Sequence, residues 1–194
     1  PVIAPTQVVV IPIAQHKEGV LDKANELYAT LKAAGIRVKL DDSENSPGWK
    51  FAEYEMRGVP LRIELGPRDI EEGKCVAVER HNRNKTFIPL ENLVEGVKER
   101  LQAVHDGMYE KALENQQART YSCTSIDEIN QMLNEKGDGF VKAMWCGDEA
   151  CEDKVKELTG VGSRCIPLEQ EHIDDKCVCC GKPATCMVVW GKAY

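Results

Sequence analysis

The sequence predicts an α/β domain with a mixed sheet, followed by a small α+β domain rich in cysteine, within 194 residues. Three observations carry that prediction. Short apolar runs of strand length alternate with segments of helical period through the first ninety residues, the pattern of an α/β layer. From about 90 to 120 a charged stretch contains no helix breaker other than Gly96 and Gly107, so one long helix should link the two domains. Beyond it, seven of the nine cysteines fall between Cys146 and Cys186. A chain of this length suits two domains of roughly 100 residues, and the boundary is placed between 105 and 106, giving domains 1–105 and 106–194.

Taken in order, Gln7–Ile13 is a continuous apolar run, as expected of a strand covered on both faces. Leu21, Ala24, Leu27, Tyr28 and Leu31 recur at helical spacing, and Gly35 stops that helix. Ile36, Val38 and Leu40 alternate with Arg37 and Lys39 in a second strand. Ser46 is a good N-cap before Pro47, opening a helix that runs to about Arg57 and ends at Gly58. Leu61, Ile63 and Leu65 alternate with Arg62 and Glu64 in a third strand, and Cys75–Glu79 and Lys85–Ile88 supply two more. The first domain therefore reads β-α-β-α-β-β-β. In the long helix, Gly107 is the point where a break is expected. The second domain should hold a helix over Ser125–Asn134, a strand over Gly139–Trp145 and a helix over Glu149–Leu158. Strands over Arg164–Pro167 and Thr185–Trp190 complete it.

Composition excludes several classes of function. The net charge is −7, divided as −2 up to Arg119 (17 basic, 19 acidic residues) and −5 beyond it (8 against 13). No broad electrostatic grip on nucleic acid is possible, so any RNA contact must be local and directed at bases or a few phosphates. The longest uncharged apolar stretch, Val8–Ala14, falls far short of the roughly 20 residues of a membrane helix. There is no secretory signal pattern, so a cytoplasmic protein without a membrane partner is expected. The chain starts at Pro1 instead of Met, which points to a piece of something longer. No G-x-G-x-x-G or Walker loop and no Ser/His/Asp arrangement stands out.

The cysteines read as a metal site. Cys146-x4-Cys151 and Cys177-x2-Cys180, separated by 25 residues, are two knuckles that together supply four thiolates, the S4 donor set preferred by structural zinc. Gly147 and Gly181-Lys182-Pro183 provide the turns that aim backbone N–H groups at the sulfurs. Four thiolates leave no open position, so the metal should act as a staple. Cys179 competes with Cys180 for the fourth place; the two-residue spacer favours Cys180 without deciding it. His172 has no paired partner at metal-ligand spacing and reads as a surface residue. Buried structural cysteines are a weaker reading of this spacing. A redox dithiol is weaker still, because Lys182-Pro183 leads towards a strand and not a helix.

The block from Ser46-Pro-Gly-Trp-Lys-Phe51 to Gly66-Pro-Arg-Asp69 closely resembles the anticodon-binding domain of prolyl-tRNA synthetases of the archaeal and eukaryotic-like type. So do Trp145-Cys-Gly-Asp-Glu-Ala-Cys-Glu152, Cys180-Gly-Lys-Pro-Ala184 and the terminal Ala193-Tyr194. Cys179 is the main departure. The resemblance implies a class II synthetase-type anticodon-binding domain followed by a zinc-bearing C-terminal domain. It implies as partners the anticodon loop of proline tRNA, whose last two bases are guanine, and a catalytic core using ATP and Mg that is absent from these residues. A homodimer is implied for the full enzyme, and a terminal Tyr194 that reaches back to the core.

Guanine offers N1–H and N2–H2 donors to a carboxylate and O6 and N7 acceptors to Arg. The family positions that match are Glu55, Arg62 and Asp69, with Phe51 as a stacking surface and Arg68 beside Asp69. Lys17, Lys50, Arg57 and Arg68 are candidates for phosphates, and Trp49 for the core. The bland reading of Glu55 and Arg62 is a solvated ion pair worth under ~1 kcal/mol. Two other functional classes compete: a free-standing zinc-stabilised binding module and a thiol oxidoreductase.

Overall fold

A computed structural model describes residues 1–193. The chain divides into two compact units, Pro1–Lys111 and Ala112–Tyr194. The division falls inside the long helix, a turn or two beyond the boundary expected from sequence.

In the first unit, strands β1 (Val8–Pro12), β2 (Val38–Leu40), β3 (Leu61–Leu65), β4 (Lys74–Glu79) and β5 (Lys85–Pro89) form one sheet in the order β2-β1-β3-β4-β5. β1 runs parallel to β2 and β3, whereas β4 is antiparallel to β3 and β5. Helices α1 (Val20–Ala33), α2 (Pro47–Met56), α3 (Pro67–Glu71) and α4 (Leu93–Ala118) accompany it. One sheet face carries Val8, Val10, Leu61, Ile63, Cys75, Ala77 and Ile88 against Ala24, Leu27 and Leu31 of α1 and Leu93, Val97 and Leu101 of α4. On the other face, Val9 and Ile11 pack with Phe51 and Tyr54 of α2 and with Val59. All five residues of β1 are therefore buried, which accounts for its unbroken apolar run.

Two expectations for this unit change. The short helix α3 intervenes between β3 and β4, so the order is β-α-β-α-β-α-β-β. It escapes notice because five residues are too few to show a helical period, although Pro67 at its first position is a start signal. The long helix does not break at Gly107. A Cβ there would lie 2.5 Å from Nε2 of His81, and one at Gly96 would lie 2.6 Å from Cγ2 of Ile88. Both glycines mark close approach of α4 to its neighbours and not a weakness in the helix.

The second unit places β6 (Thr120–Ser122), β7 (Phe140–Trp145), β9 (Cys186–Lys192) and β8 (Val161–Cys165) in a four-stranded sheet in that order. β6 is parallel to β7, and the remaining pairs are antiparallel. Helices α5 (Ile126–Lys136) and α6 (Glu149–Thr159) bury Ile129 and Val155 against Val141, Ala143, Val161, Val188 and Trp190. Ser125 and Asp148 cap the two helices through side-chain oxygens that accept from Glu128 N–H and Ala150 N–H. The strand expected over Arg164–Pro167 instead runs from Val161 to Cys165, ending two residues before Pro167. Gly162 and Ser163, which look like loop residues, pair with Gly191 and Trp190 before an irregularity at Cys165. β6 is too short to stand out in the sequence. Tyr194, which the resemblance implies reaches back to the core, lies outside the described residues.

Candidate nucleic-acid interface and metal centre

The alternation of β3 sends Arg62 and Glu64 to the face opposite Leu61, Ile63 and Leu65, next to the edge of α2. Phe51 and Glu55, one turn apart on α2, meet them there. The Arg62 guanidinium lies over the Phe51 ring, its carbon 3.9 Å from the centroid. Its Nε donates to Glu64 Oε1 at 2.9 Å, and its Nη1 donates to Glu55 Oε1 at 3.3 Å. Arg83, from the β4–β5 turn, reaches Glu55 Oε2 at 3.5 Å, and Arg80 Nε donates to the Glu55 carbonyl at 2.9 Å. Arg62 and Glu64 are each only 12 % exposed. Glu55, at 36 %, and Arg83, at 79 %, reach solvent. An interior guanidinium is thus held by stacking and a carboxylate, while a second carboxylate faces outward under a loose arginine. Glu55 offers a carboxylate edge to solvent beside an arginine already engaged by Glu64 and Phe51.

Three of the five predicted anticodon residues, Phe51, Glu55 and Arg62, come together. Phe51 has one ring face occupied by Arg62, so it supports the guanidinium before it can support a base. Asp69 is committed locally, because its Oδ2 accepts the Gly66 N–H at 2.8 Å and closes the first turn of α3. Arg68 is exposed beside it. Of the phosphate candidates, Lys17 and Arg57 are exposed, the latter paired with Glu53. Lys50 is not available: it is 2 % exposed, donates to the Asp41 carbonyl at 2.9 Å and lies 3.7 Å from Asp41 Oδ1. Burial tends to raise the Asp41 carboxyl, but hydrogen bonds from Ser43 and the charge of Lys50 hold it below its ordinary value. Trp49 also differs from expectation. It is 51 % exposed, on the solvent side of the first turn of α2, because Lys50 and Tyr54 occupy the inward stripe. Sequence reasoning placed Glu64 with Arg62 on one strand face without giving it a role, and it missed Arg80 and Arg83.

The second constellation is built from loops. Cys146 follows β7, Cys151 lies in the first turn of α6, and Cys177 and Cys180 sit on a turn preceding β9. Their four sulfur atoms lie within 4.8 Å of one another. The Cys146–Cys180 separation is 3.8 Å, and a tetrahedron of Zn–S bonds of about 2.3 Å has sulfur edges of about 3.8 Å. Gly147 at φ 87° and Gly181 at φ 70° supply the left-handed backbone that turns each knuckle. The thiols are unequal: the Lys182 N–H pulls Cys180 down to about 7, whereas burial pushes Cys151 up. Cys179 packs with the hydrophobic core of the unit instead of joining the cluster. His172 is an exposed residue hydrogen-bonded to Asp175. Geometry, donor chemistry and backbone thus fit a closed tetrahedral metal site.

Among the described residues no helix is long and apolar enough to cross a membrane. Residues 7–100 match the family model described as "Anticodon binding domain", so the first unit is of the kind that aminoacyl-tRNA synthetases carry. Residues 126–194 match "Prolyl-tRNA synthetase, C-terminal". The chain belongs to the prolyl-tRNA synthetase family, corresponding to its anticodon-binding and C-terminal portions. Over all 194 residues it is 58 % identical to the proline–tRNA ligase of Ruminiclostridium cellulolyticum and 55 % identical to that of Clostridium botulinum strain Okra. It spans 40 % of the length of each of these relatives. The crystal structure of prolyl-tRNA synthetase from Cryptosporidium parvum, complexed with L-proline and AMP, superposes with a TM-score of 0.92 at 36 % identity. That similarity covers 100 % of this chain and 42 % of the other.

Proposed function

We propose that the chain is the tRNA-reading and zinc-stabilised portion of a proline–tRNA ligase, an enzyme that attaches proline to its tRNA with ATP and Mg. In this reading those two ligands and the chemistry belong to a catalytic core outside the 194 residues, and the portion described here is inactive alone. The parent is a cytoplasmic homodimer. One observation carries the proposal: inside the matched anticodon-binding unit, an outward carboxylate and a stacked guanidinium lie 3.3 Å apart. Glu55 takes the N1–H and N2–H2 edge of an anticodon guanine, Arg62 presents donors to a base, and Phe51 and Glu64 hold Arg62 in place. Arg68 and Asp69 stand at the start of α3, where Asp69 holds the turn and the exposed Arg68 meets a phosphate.

Cys146, Cys151, Cys177 and Cys180 would hold one zinc ion. When bound, the metal supplies folding energy and cross-links the loops after β7 and before β9; with four thiolates it has no open position for catalysis. Backbone N–H groups such as that of Lys182 stabilise the thiolate form. Metal analysis of the purified chain together with filter binding of proline tRNA tests both halves of the proposal. The expected result is one zinc per chain and binding that weakens when either anticodon guanine is replaced. A chelator should loosen the second unit and leave the first folded. Binding indifferent to the anticodon would instead favour the free-standing module, and a metal-free chain with a reactive dithiol would favour the oxidoreductase.

A further inference from the structure

The sheet face that carries Arg62 and Glu64 does not stop at β3. Register carries it outward in two rows, Arg62–Val78–Lys85 and Glu64–Val76–Phe87. Helix α2 covers the β1 side of this face, and β5 forms its open edge. Phe87 stands on that edge 59 % exposed, although Ile88 beside it is buried in the core. A single exposed aromatic is ordinary on a protein surface. An edge strand, however, is usually guarded by charge, proline or a bulge and not by an exposed aromatic, and here the surroundings are cationic. The Lys74 ammonium lies over the Phe87 ring, 4.1 Å from its centroid, and is also paired with Glu72. Lys85 is 63 % exposed and only loosely paired with Glu64, at 3.9 Å. Arg83, at the turn that joins the two strands, is more exposed still. In a chain of net charge −7, these cations rim one aromatic surface.

We infer that Phe87 is a stacking platform for an unpaired RNA base, with Lys74 and Lys85 placed for the phosphates beside it. Aromatic rings flanked by cations are how single-stranded nucleic acid is held without reading its sequence. With strands about 4.8 Å apart, Phe87 lies two strand spacings, about 10 Å, from Glu64. The base it takes is therefore a loop nucleotide next to those offered to Glu55 and Arg62, and the inference rests on that anticodon reading. Stacking tolerates any base, so Phe87 contributes affinity and Glu55 with Arg62 contributes discrimination.

The test uses the full 194-residue chain and proline tRNA carrying 2-aminopurine at each anticodon-loop position in turn. The wild-type chain should quench fluorescence at one position outside the two guanines. Phe87→Leu, which keeps apolar bulk without a ring, should lose that quench and weaken binding about tenfold. The loss should be equal for matched and altered anticodons, and Phe87→Trp should restore both signals. Phe87→Leu binding and quenching like the wild type would overturn the platform. If instead the wild type ignored the anticodon guanines while the Phe87 effect persisted, the anticodon reading would fall and the platform would stand.

Discussion

Lys50 shows how far a single residue can depart from its one-dimensional appearance. It sits in the block that resembles the anticodon-binding motif and looks like a phosphate contact, yet it is enclosed with Asp41. The turn over residues 41–46 that brings the two together is not encoded in any periodicity. Breaking a buried pair leaves one uncompensated charge, which costs about 3–5 kcal/mol. Lys50→Met should therefore lower the denaturation free energy of the first unit by that order without altering anticodon selectivity. Adding Asp41→Asn should recover part of the loss in a double-mutant cycle. The cysteines behave in the opposite way, because ligand spacing is local and the sequence states it almost completely. Only the choice between Cys179 and Cys180 needed coordinates, since it depends on which thiol the turn aims at the core. Cys180→Ser should abolish stoichiometric metal binding and Cys179→Ser should leave it intact, as read by metal analysis; the reverse pattern would reassign the fourth ligand.

At the scale of elements, segments with a clear apolar period were legible and those without one were not. β1, α1, α2 and β3 follow directly from apolar spacing and from the Ser46 cap. α3 and β6 are too short for any period, and β8 hides behind Gly162. α4 is the instructive case, because glycine in a helix suggests a break whereas here it permits packing. Alanine at Gly96 would gain about 1 kcal/mol of helix propensity. It would also force a methyl to 2.6 Å from the Ile88 side chain, and such overpacking costs about 1–3 kcal/mol. Gly96→Ala should thus be neutral to destabilising, and its cost should disappear in an Ile88→Ala background, measured by urea denaturation. Helix α2 carries a second signature. Burial and the Asp41 carboxylate push the Tyr54 phenol up from 10 to about 12. The folded state therefore holds that proton more tightly than the unfolded chain, so this contribution is complete below pH 10. It is lost as pH rises from 10 through about 12. The Tyr54→Phe chain should show a shallower fall in stability over that window; an identical fall would mean that Tyr54 titrates as freely in the fold as outside it.

At the scale of the molecule, the net negative charge and the local cluster of cations are reconciled by placement. A chain of net charge −7 cannot hold RNA by its overall field, and the structure does not ask it to. It gathers Arg62, Arg80, Arg83, Lys74 and Lys85 around one sheet face, interleaved with Glu55, Glu64 and Glu72. That clustering was only half visible in the sequence: Arg62 and Glu64 announce themselves by alternation on one strand. Arg83, Lys85 and Phe87 join them only when β3, β4 and β5 are paired in register. The central claim is that Glu55 and Arg62 read guanine, and the most direct measurement is a discrimination ratio. Affinities for proline tRNA and for the same tRNA with each anticodon guanine replaced should be measured with the wild-type chain, Glu55→Ala and Arg62→Ala. The expected outcome is a loss of ~1–3 kcal/mol of discrimination in each variant, with binding of the altered tRNAs scarcely changed. Equal losses for matched and altered tRNAs would contradict it and leave both residues as parts of a surface ion-pair network.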